Sequence, residues 1–212
     1  TPVGMYKELV QMFDEGRIDF SQVKTVNLDE YCGLAPTHEQ SYRRFMQTNF
    51  FDHIDVQPEN THVPNGLAED LEAECARYNR VIQKLGGIDL QLLGMGHNGH
   101  IGFNEPGHTF ELETHAVDLS QTTIDANARF FASREDVPRR ALTMGIKNIM
   151  QARRILVVVS GEDKAEIVCR AFRGPVTPQV PASILQLHPD VTLVGDRAAL
   201  HALVEAGETV CG

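Results

Sequence analysis

Hydrophobic positions along this chain alternate between two periods, and the alternation predicts the order of its elements. Val3, Tyr6, Leu9, Val10 and Phe13 share one helical face, opened by Thr1 as N-cap and Pro2 as first helical residue and stopped by Gly16. Residues 23–28 read as a strand, with Asp29-Glu30-Tyr31 at its carboxyl end and a loop marked by Gly33, Pro36 and Thr37. From Ser41 a second helix carries Tyr42, Phe45, Met46 and Phe50 inward, and residues 56–65, with Pro58, Asn60 and Pro64, read as an irregular connection. Leu71, Cys75, Tyr78, Ile82 and Leu85 keep helical spacing until Gly86-Gly87 stops them. Short strands are predicted at 88–93, 115–119, 155–159 and 191–194, and helical pieces at 124–131, 164–172, 181–187 and 197–204. The run Ile155-Leu156-Val157-Val158-Val159 is the plainest buried strand. Strand and helix in alternation predict an α/β domain, doubly wound around a mostly parallel sheet, and no linker or internal repeat divides 1–212.

The strand at 88–93 opens into Gly94-Met95-Gly96-His97-Asn98-Gly99-His100-Ile101-Gly102-Phe103-Asn104-Glu105-Pro106. Its glycines let main-chain N–H groups approach a ligand, and loops at the carboxyl ends of parallel strands are where open sheets bind ligands. His100 is the side chain best suited to proton transfer near neutral pH, with Glu105 as a carboxylate to orient it. Gly94, Gly96 and Gly99 also satisfy the dinucleotide pattern, with Asp118 near the distance of a ribose ligand. Gly102, Asn104, Pro106 and Gly107 nevertheless oppose the helix that pattern must open. His97, His100, Glu105 and His108 are metal-ligand types, yet no i, i+4 pair fixes them.

The formal net charge of −10 argues against nucleic acid or an anionic membrane as partner, since both demand a basic face. A small phosphorylated substrate stays compatible if a few cations gather in one place. Arg129 beside Phe130 and Phe131 is a candidate anion ligand, and Lys164 in a first helical turn opposes the helix dipole unless an anion sits nearby. The helix N-terminus at Thr1 suits a phosphate as well. Either acid of the Asp29-Glu30 pair can supply a general base. Cys32, Cys75, Cys169 and Cys211 have no C-x-x-C spacing and read as buried thiols. With no long apolar span, the expected setting is a reducing cytoplasm.

Six separated segments resemble the glucosamine-6-phosphate deaminase family. They are Thr1-Pro2, Asn27-Leu28-Asp29-Glu30-Tyr31, the loop from Gly94 to Pro106, Ala126-Asn127-Ala128-Arg129-Phe130-Phe131, Gly161-Glu162-Asp163-Lys164-Ala165, and Pro181-Ala182-Ser183-Ile184-Leu185-Gln186-Leu187-His188. The resemblance implies a modified Rossmann-like fold in one domain, N-terminally incomplete by about forty residues that would form a strand, a helix and a second strand. It implies conversion of D-glucosamine 6-phosphate to D-fructose 6-phosphate and ammonia with no metal and no organic cofactor. Thr1, Arg129 and Lys164, with the Gly94-Met95-Gly96 backbone, match the positions that hold the sugar phosphate. Asp29 matches the base that moves a proton between C2 and C1, His100 the group that opens the ring, and Glu105 its orienting partner.

Asn98 departs from many family members, which carry Asp there. An amide accepts no proton, so its expected role is to hydrogen-bond and position His100. The Asn form resembles a shorter branch of the family that acts without an allosteric hexamer, so a monomer or a simple homo-oligomer is expected. Two rivals remain. A 6-phosphogluconolactonase-like hydrolase shares the fold and the loop as far as His100, but not Phe103-Asn104-Glu105-Pro106. A non-catalytic phosphosugar sensor would have no use for Asp29, His100 and Glu105 together.

Overall fold

A computed structural model of the chain describes residues 2–207. In chain order its elements are α1 (Val3–Asp14), β1 (Thr25–Val26), β2 (Asp29–Tyr31), α2 (Tyr42–Asn49), β3 (Thr61–His62), α3 (Leu71–Lys84), β4 (Leu90–Leu93), β5 (His115–Asp118), α4 (Gln121–Asn127), β6 (Arg140–Thr143), α5 (Ile146–Met150), β7 (Arg154–Val159), α6 (Ala165–Arg173), β8 (Val191–Gly195) and α7 (Arg197–Glu205). The fold is α/β, with parallel and antiparallel strand sets and flanking helices. The chain groups into two compact units. One comprises Pro2–Leu85 and Thr114–Thr143, the other Gly86–Glu113 and the residues from Met144 onward.

In the first unit, α1 lays Tyr6, Leu9, Val10 and Phe13 on a core of Phe20, Met46, Phe50, Phe51 and Val56. Tyr6 stacks on Phe50 with ring centroids 4.8 Å apart. α3 starts where Asp70 accepts the N–H of Ala73 (2.9 Å) and carries Glu72 and Glu74 in its first turn, where the helix dipole favours acids. It ends in Gly86 and Gly87, both at positive φ, a conformation that side chains resist. The buried Tyr78 hydroxyl lies 2.7 Å from the Asn27 carbonyl and 3.1 Å from that of His62. It thereby pins the parallel pair β1–β3, in which Thr25 faces Thr61.

Three sequence expectations are refined here. Asp29-Glu30-Tyr31, expected at the carboxyl end of the strand at 23–28, forms a strand of its own, β2, antiparallel to β6, with Asp29 opposite Thr143; β5 flanks β6 on its other side. A three-residue strand is too short to show alternation, and its ladder partner lies far along the chain. The connection at 56–65 includes β3, held by its pairing with β1 and not by its own sequence. The piece at Pro181–Leu187 is a 3-10 helix.

In the second unit, β4, β7 and β8 are parallel, with Leu92 facing Leu156 and Leu156 facing Thr192. Ile155, Val157 and Val159 are buried on one face of β7, and Ala165, Ile167, Val168 and Ala171 form the buried stripe of α6. His188 is buried and structural. The N–H of Asp190 donates to its Nδ1 (3.1 Å), so Nε2 carries the proton that reaches the Ala152 carbonyl (2.8 Å). Among the described residues no helix is long and apolar enough to cross a membrane. Thr1 and Cys211, both singled out in the sequence, lie outside the described residues.

Candidate active site

The expected site residues fall into two groups. Gly94, Met95, Gly96, Asn98, His100, Glu105 and Lys164 belong to the second unit, Asp29 and Arg129 to the first. Each group is built by its own local chemistry.

In the second unit, β4 runs out at Leu93 and the loop turns sharply, the Gly96 N–H bonding to the His100 carbonyl (3.0 Å) and the Gly99 N–H to that of Gly96 (2.9 Å). The His100 ring lies directly over Gly96, where a Cβ would stand only 2.1 Å from a ring carbon. Glycine is therefore a packing requirement of the imidazole. Asn98 Oδ1 receives the backbone N–H of His100 (3.2 Å) and lies 2.7 Å from His100 Nδ1. A backbone N–H only donates, so the shared Asn98 atom is the oxygen and Nδ1 carries the ring proton. Neutral His100 thus keeps its basic lone pair on Nε2. Burial is the main influence holding its pKa below the ordinary histidine value; Glu105 pulls the other way, and Lys164 and His97 add to the depression. The imidazole is neutral at pH 7 and ready to accept a proton.

Replacing Asn98 with Asp puts a charge where the amide oxygen sits. We expect the His100 pKa to rise, because an adjacent anion favours imidazolium. Imidazole shifts of labelled His100, followed by NMR against pH in both proteins, read this directly.

Lys164 ends the 3-10 turn Glu162–Lys164 that follows β7, and it occupies the N-cap position of α6. Its ammonium turns away from the helix and donates to the Met95 carbonyl (2.8 Å), which brings a cation to the glycine loop after the neighbouring parallel strand. Desolvation lowers its pKa from the ordinary lysine value, against the opposing pull of Asp163. His97, from the same loop, pairs with Asp163 at the surface. Asn104, read in the sequence only as a residue that opposes a helix here, is buried and ties the loop down. Its Nδ2 donates to the carbonyls of Ile101 (2.9 Å) and Met144 (2.8 Å). Among the described residues no group of three or more His, Cys, Asp or Glu side chains is placed to hold a metal ion.

In the first unit, Asp29 stands in β2 with its pKa raised to about 7, by desolvation first and by the charge of Glu30 second. A carboxylate poised there is ionised in substantial part at neutral pH and still holds a proton strongly once it has one. The two acids of the pair have separated tasks. Glu30 is buried and fully engaged in hydrogen bonds, whereas Asp29 projects from the other face of the strand. Arg129 lies in the 3-10 turn Ala128–Phe130 after α4, exposed, with its guanidinium 4.7 Å from the centre of the Phe130 ring. Asn127, just before that turn, donates to the Tyr31 hydroxyl (2.9 Å), and Tyr31 stacks on Tyr42 (5.2 Å, 17°). In the sequence Tyr42 reads only as part of an inward-facing helical stripe and Asn127 only as part of a resembling segment; the contact with β2 shows what each one holds.

The sequence matches the family described as glucosamine-6-phosphate isomerases/6-phosphogluconolactonase over residues 1–194. It is 61% identical over 194 residues to the glucosamine-6-phosphate deaminase of Lachnoclostridium phytofermentans, covering 92% of this chain and 82% of that one. Against the deaminase of Clostridium perfringens the identity is 57% over 203 residues, covering 96% and 84%. Among solved structures, a monomeric glucosamine-6-phosphate deaminase superposes with a TM-score of 0.92 at 48% identity, over 95% of this chain and 83% of that one. The 6-phosphogluconolactonase of Thermotoga maritima superposes with a TM-score of 0.70 at 20% identity, over 92% and 81%, a likeness of fold alone.

Proposed function

We infer from one premise, that this chain belongs to the glucosamine-6-phosphate isomerase/6-phosphogluconolactonase family, that it is a deaminase converting D-glucosamine 6-phosphate to D-fructose 6-phosphate and ammonia. The observation that carries the reading is identity of 61% with a deaminase across 92% of the chain, against a likeness to lactonases of fold only. The loop agrees, since it continues past His100 into Phe103-Asn104-Glu105-Pro106.

In this reading Lys164, Arg129 and the Gly94-Met95-Gly96 backbone hold the substrate phosphate, an ammonium, a guanidinium fork and main-chain N–H groups suiting a dianion. Thr1 is the remaining phosphate ligand that the family resemblance assigns. His100, a neutral base at Nε2, takes the proton of the C1 hydroxyl and returns it to the ring oxygen as the C1–O bond opens. Glu105 steadies the imidazolium that forms between these events, and Asn98 holds the ring by Nδ1. Asp29 then removes the C2 proton while a proton of the C2 ammonium passes to O1, leaving an enolamine across C1 and C2. The same carboxyl returns its proton to C1, giving a C2 iminium. Water adds to that carbon, its protons pass to the nitrogen and to solvent, and ammonia leaves as the C2 carbonyl forms. The steps are proton transfers and a hydrolysis, so the reading calls for no metal and no organic cofactor. The chain works as one enzymatic domain in a reducing cytoplasm, as a monomer or homo-oligomer, on a small phosphosugar.

The test is a paired assay on purified protein. Ammonia and fructose 6-phosphate should appear in equal amounts from glucosamine 6-phosphate, with no acceleration of 6-phosphogluconolactone hydrolysis. The reverse result would install the lactonase, and binding without turnover would install a sensor.

A further inference from the structure

Glu30 is only 2% exposed, and a carboxylate so placed is expensive to bury unless its oxygens are satisfied. They are. Oε1 accepts the N–H groups of Tyr31 (2.9 Å) and Tyr42 (3.0 Å), and Oε2 accepts the N–H of Arg43 (3.0 Å) and the hydroxyl of Ser41 (3.1 Å). Two of these donors are free N–H groups of the first turn of α2, and the next, from Arg44, is taken by Ser41 Oγ (3.1 Å). The carboxylate thus caps a helix from a strand that comes before it in the chain. With four donors in place it has little capacity left for a ligand.

The grip bears on Asp29. Side chains alternate along β2, so fixing Glu30 on one face fixes Asp29 on the other. Ladder pairing with β6 holds the strand along one edge. At its end the backbone of Gly66 lies so close that a Cβ there would stand 2.1 Å from the Tyr31 carbonyl oxygen. Through α2 the same carboxylate seats Tyr42 on Tyr31, whose hydroxyl holds Asn127 ahead of the turn bearing Arg129. We propose that Glu30 is a positioning residue for the C2–C1 proton transfer, a buried anionic cap that fixes Asp29 in place and in charge environment while touching no substrate.

The proposal rests on the reading of Asp29 as the base. The field at that carboxyl is consistent with it. Tyr31 of β2, Tyr42 of α2 and Tyr78 of α3 are phenols whose own pKa values are raised by burial first, and all three feel the Asp29 charge. His115 of β5 lies on the same cross-strand row, beyond Thr143. The charge of Glu30 acts on Asp29 to keep the proton on.

The experiment compares Glu30→Gln, Glu30→Asp and Asp29→Asn by kcat and kcat/KM for glucosamine 6-phosphate against pH, with melting curves to establish folding. Glu30→Gln removes the charge and offers an amide NH2 to N–H groups that need an acceptor. Its kcat should fall at least about tenfold, and the acid limb of kcat/KM should move to lower pH by about half a unit or more. Glu30→Asp keeps the charge but shortens the reach, so kcat should fall while the limb stays put. A folded Glu30→Gln protein with kcat within about twofold of the parent and an unmoved limb overturns the proposal. If Glu30→Gln does not fold, Glu30→Asp decides: undiminished kcat overturns the proposal, and a fall with an unmoved limb sustains it. Turnover retained by Asp29→Asn would instead remove the base reading itself, an outcome separate from either.

Discussion

Asp29→Asn should abolish turnover and stabilise the fold at the same time. The amide keeps the size of the side chain but cannot take a proton from carbon, so kcat should drop by about 10²–10⁴-fold or more. The affinity for glucosamine 6-phosphate should change by no more than about threefold, because the phosphate ligands are untouched. The stability effect follows from the raised pKa. The folded protein holds the Asp29 proton up to about pH 7, against 3.8 for an ordinary aspartate, so the stability that this group contributes is fully present below pH 3.8 and is lost as pH rises from there through about 7. Above pH 7 the ionised carboxylate costs up to about 4 kcal/mol, which the neutral amide does not. Thermal melts of the two proteins should therefore coincide near pH 4, after which the variant should melt higher by a margin that widens to pH 8. Equal melting temperatures at pH 8 would mean that Asp29 is not held in a desolvated place.

The second large effect is expected at Gly96. Its Cα sits under the His100 ring, and Gly96→Ala would set a methyl group 2.1 Å from Cε1 and 2.3 Å from both ring nitrogens. The ring must leave its place, and its bond to Asn98 Oδ1 must stretch or break. Displacing a catalytic group by about 1 Å can cost about 10²-fold, and we expect kcat to fall at least that far. Melting temperature should fall much less, since the ring can swing aside. Activity within about twofold of the parent would show that the position of His100 over Gly96 is not the one used in catalysis.

The sequence made the loop at 94–106 legible because its chemistry is local. Glycine spacing, His100, Asn98 and Glu105 all lie within one turn of chain, and the tautomer-fixing bond joins residues two apart. β7 was legible for a related reason, its β-branched run being dictated by burial alone. β6 and α5 went unread, since Arg140–Thr143 and Ile146–Met150 are too short for either period to register. Asp29 was singled out for its chemistry at the end of a strand, but nothing within Asp29-Glu30-Tyr31 announces a separate strand or a partner in β6. Glu30 shows the limit most clearly. Read along the chain it is half of an acidic pair, and only the approach of α2 shows that its charge is already spoken for. Arg129 fell between these cases. Phe130 beside it was a usable signal, while the Asn127–Tyr31 bond ahead of its turn was not foreseeable.

Asn98 has one more consequence. A carboxylate in its place would ionise on its own schedule, so that acid would loosen the ring's hinge as well as charge the ring. The amide has no such schedule. Mild acid therefore shuts this imidazole off by a single protonation at its far nitrogen, the hinge staying closed, and a return to neutral pH should restore activity at once, with no slow recovery phase.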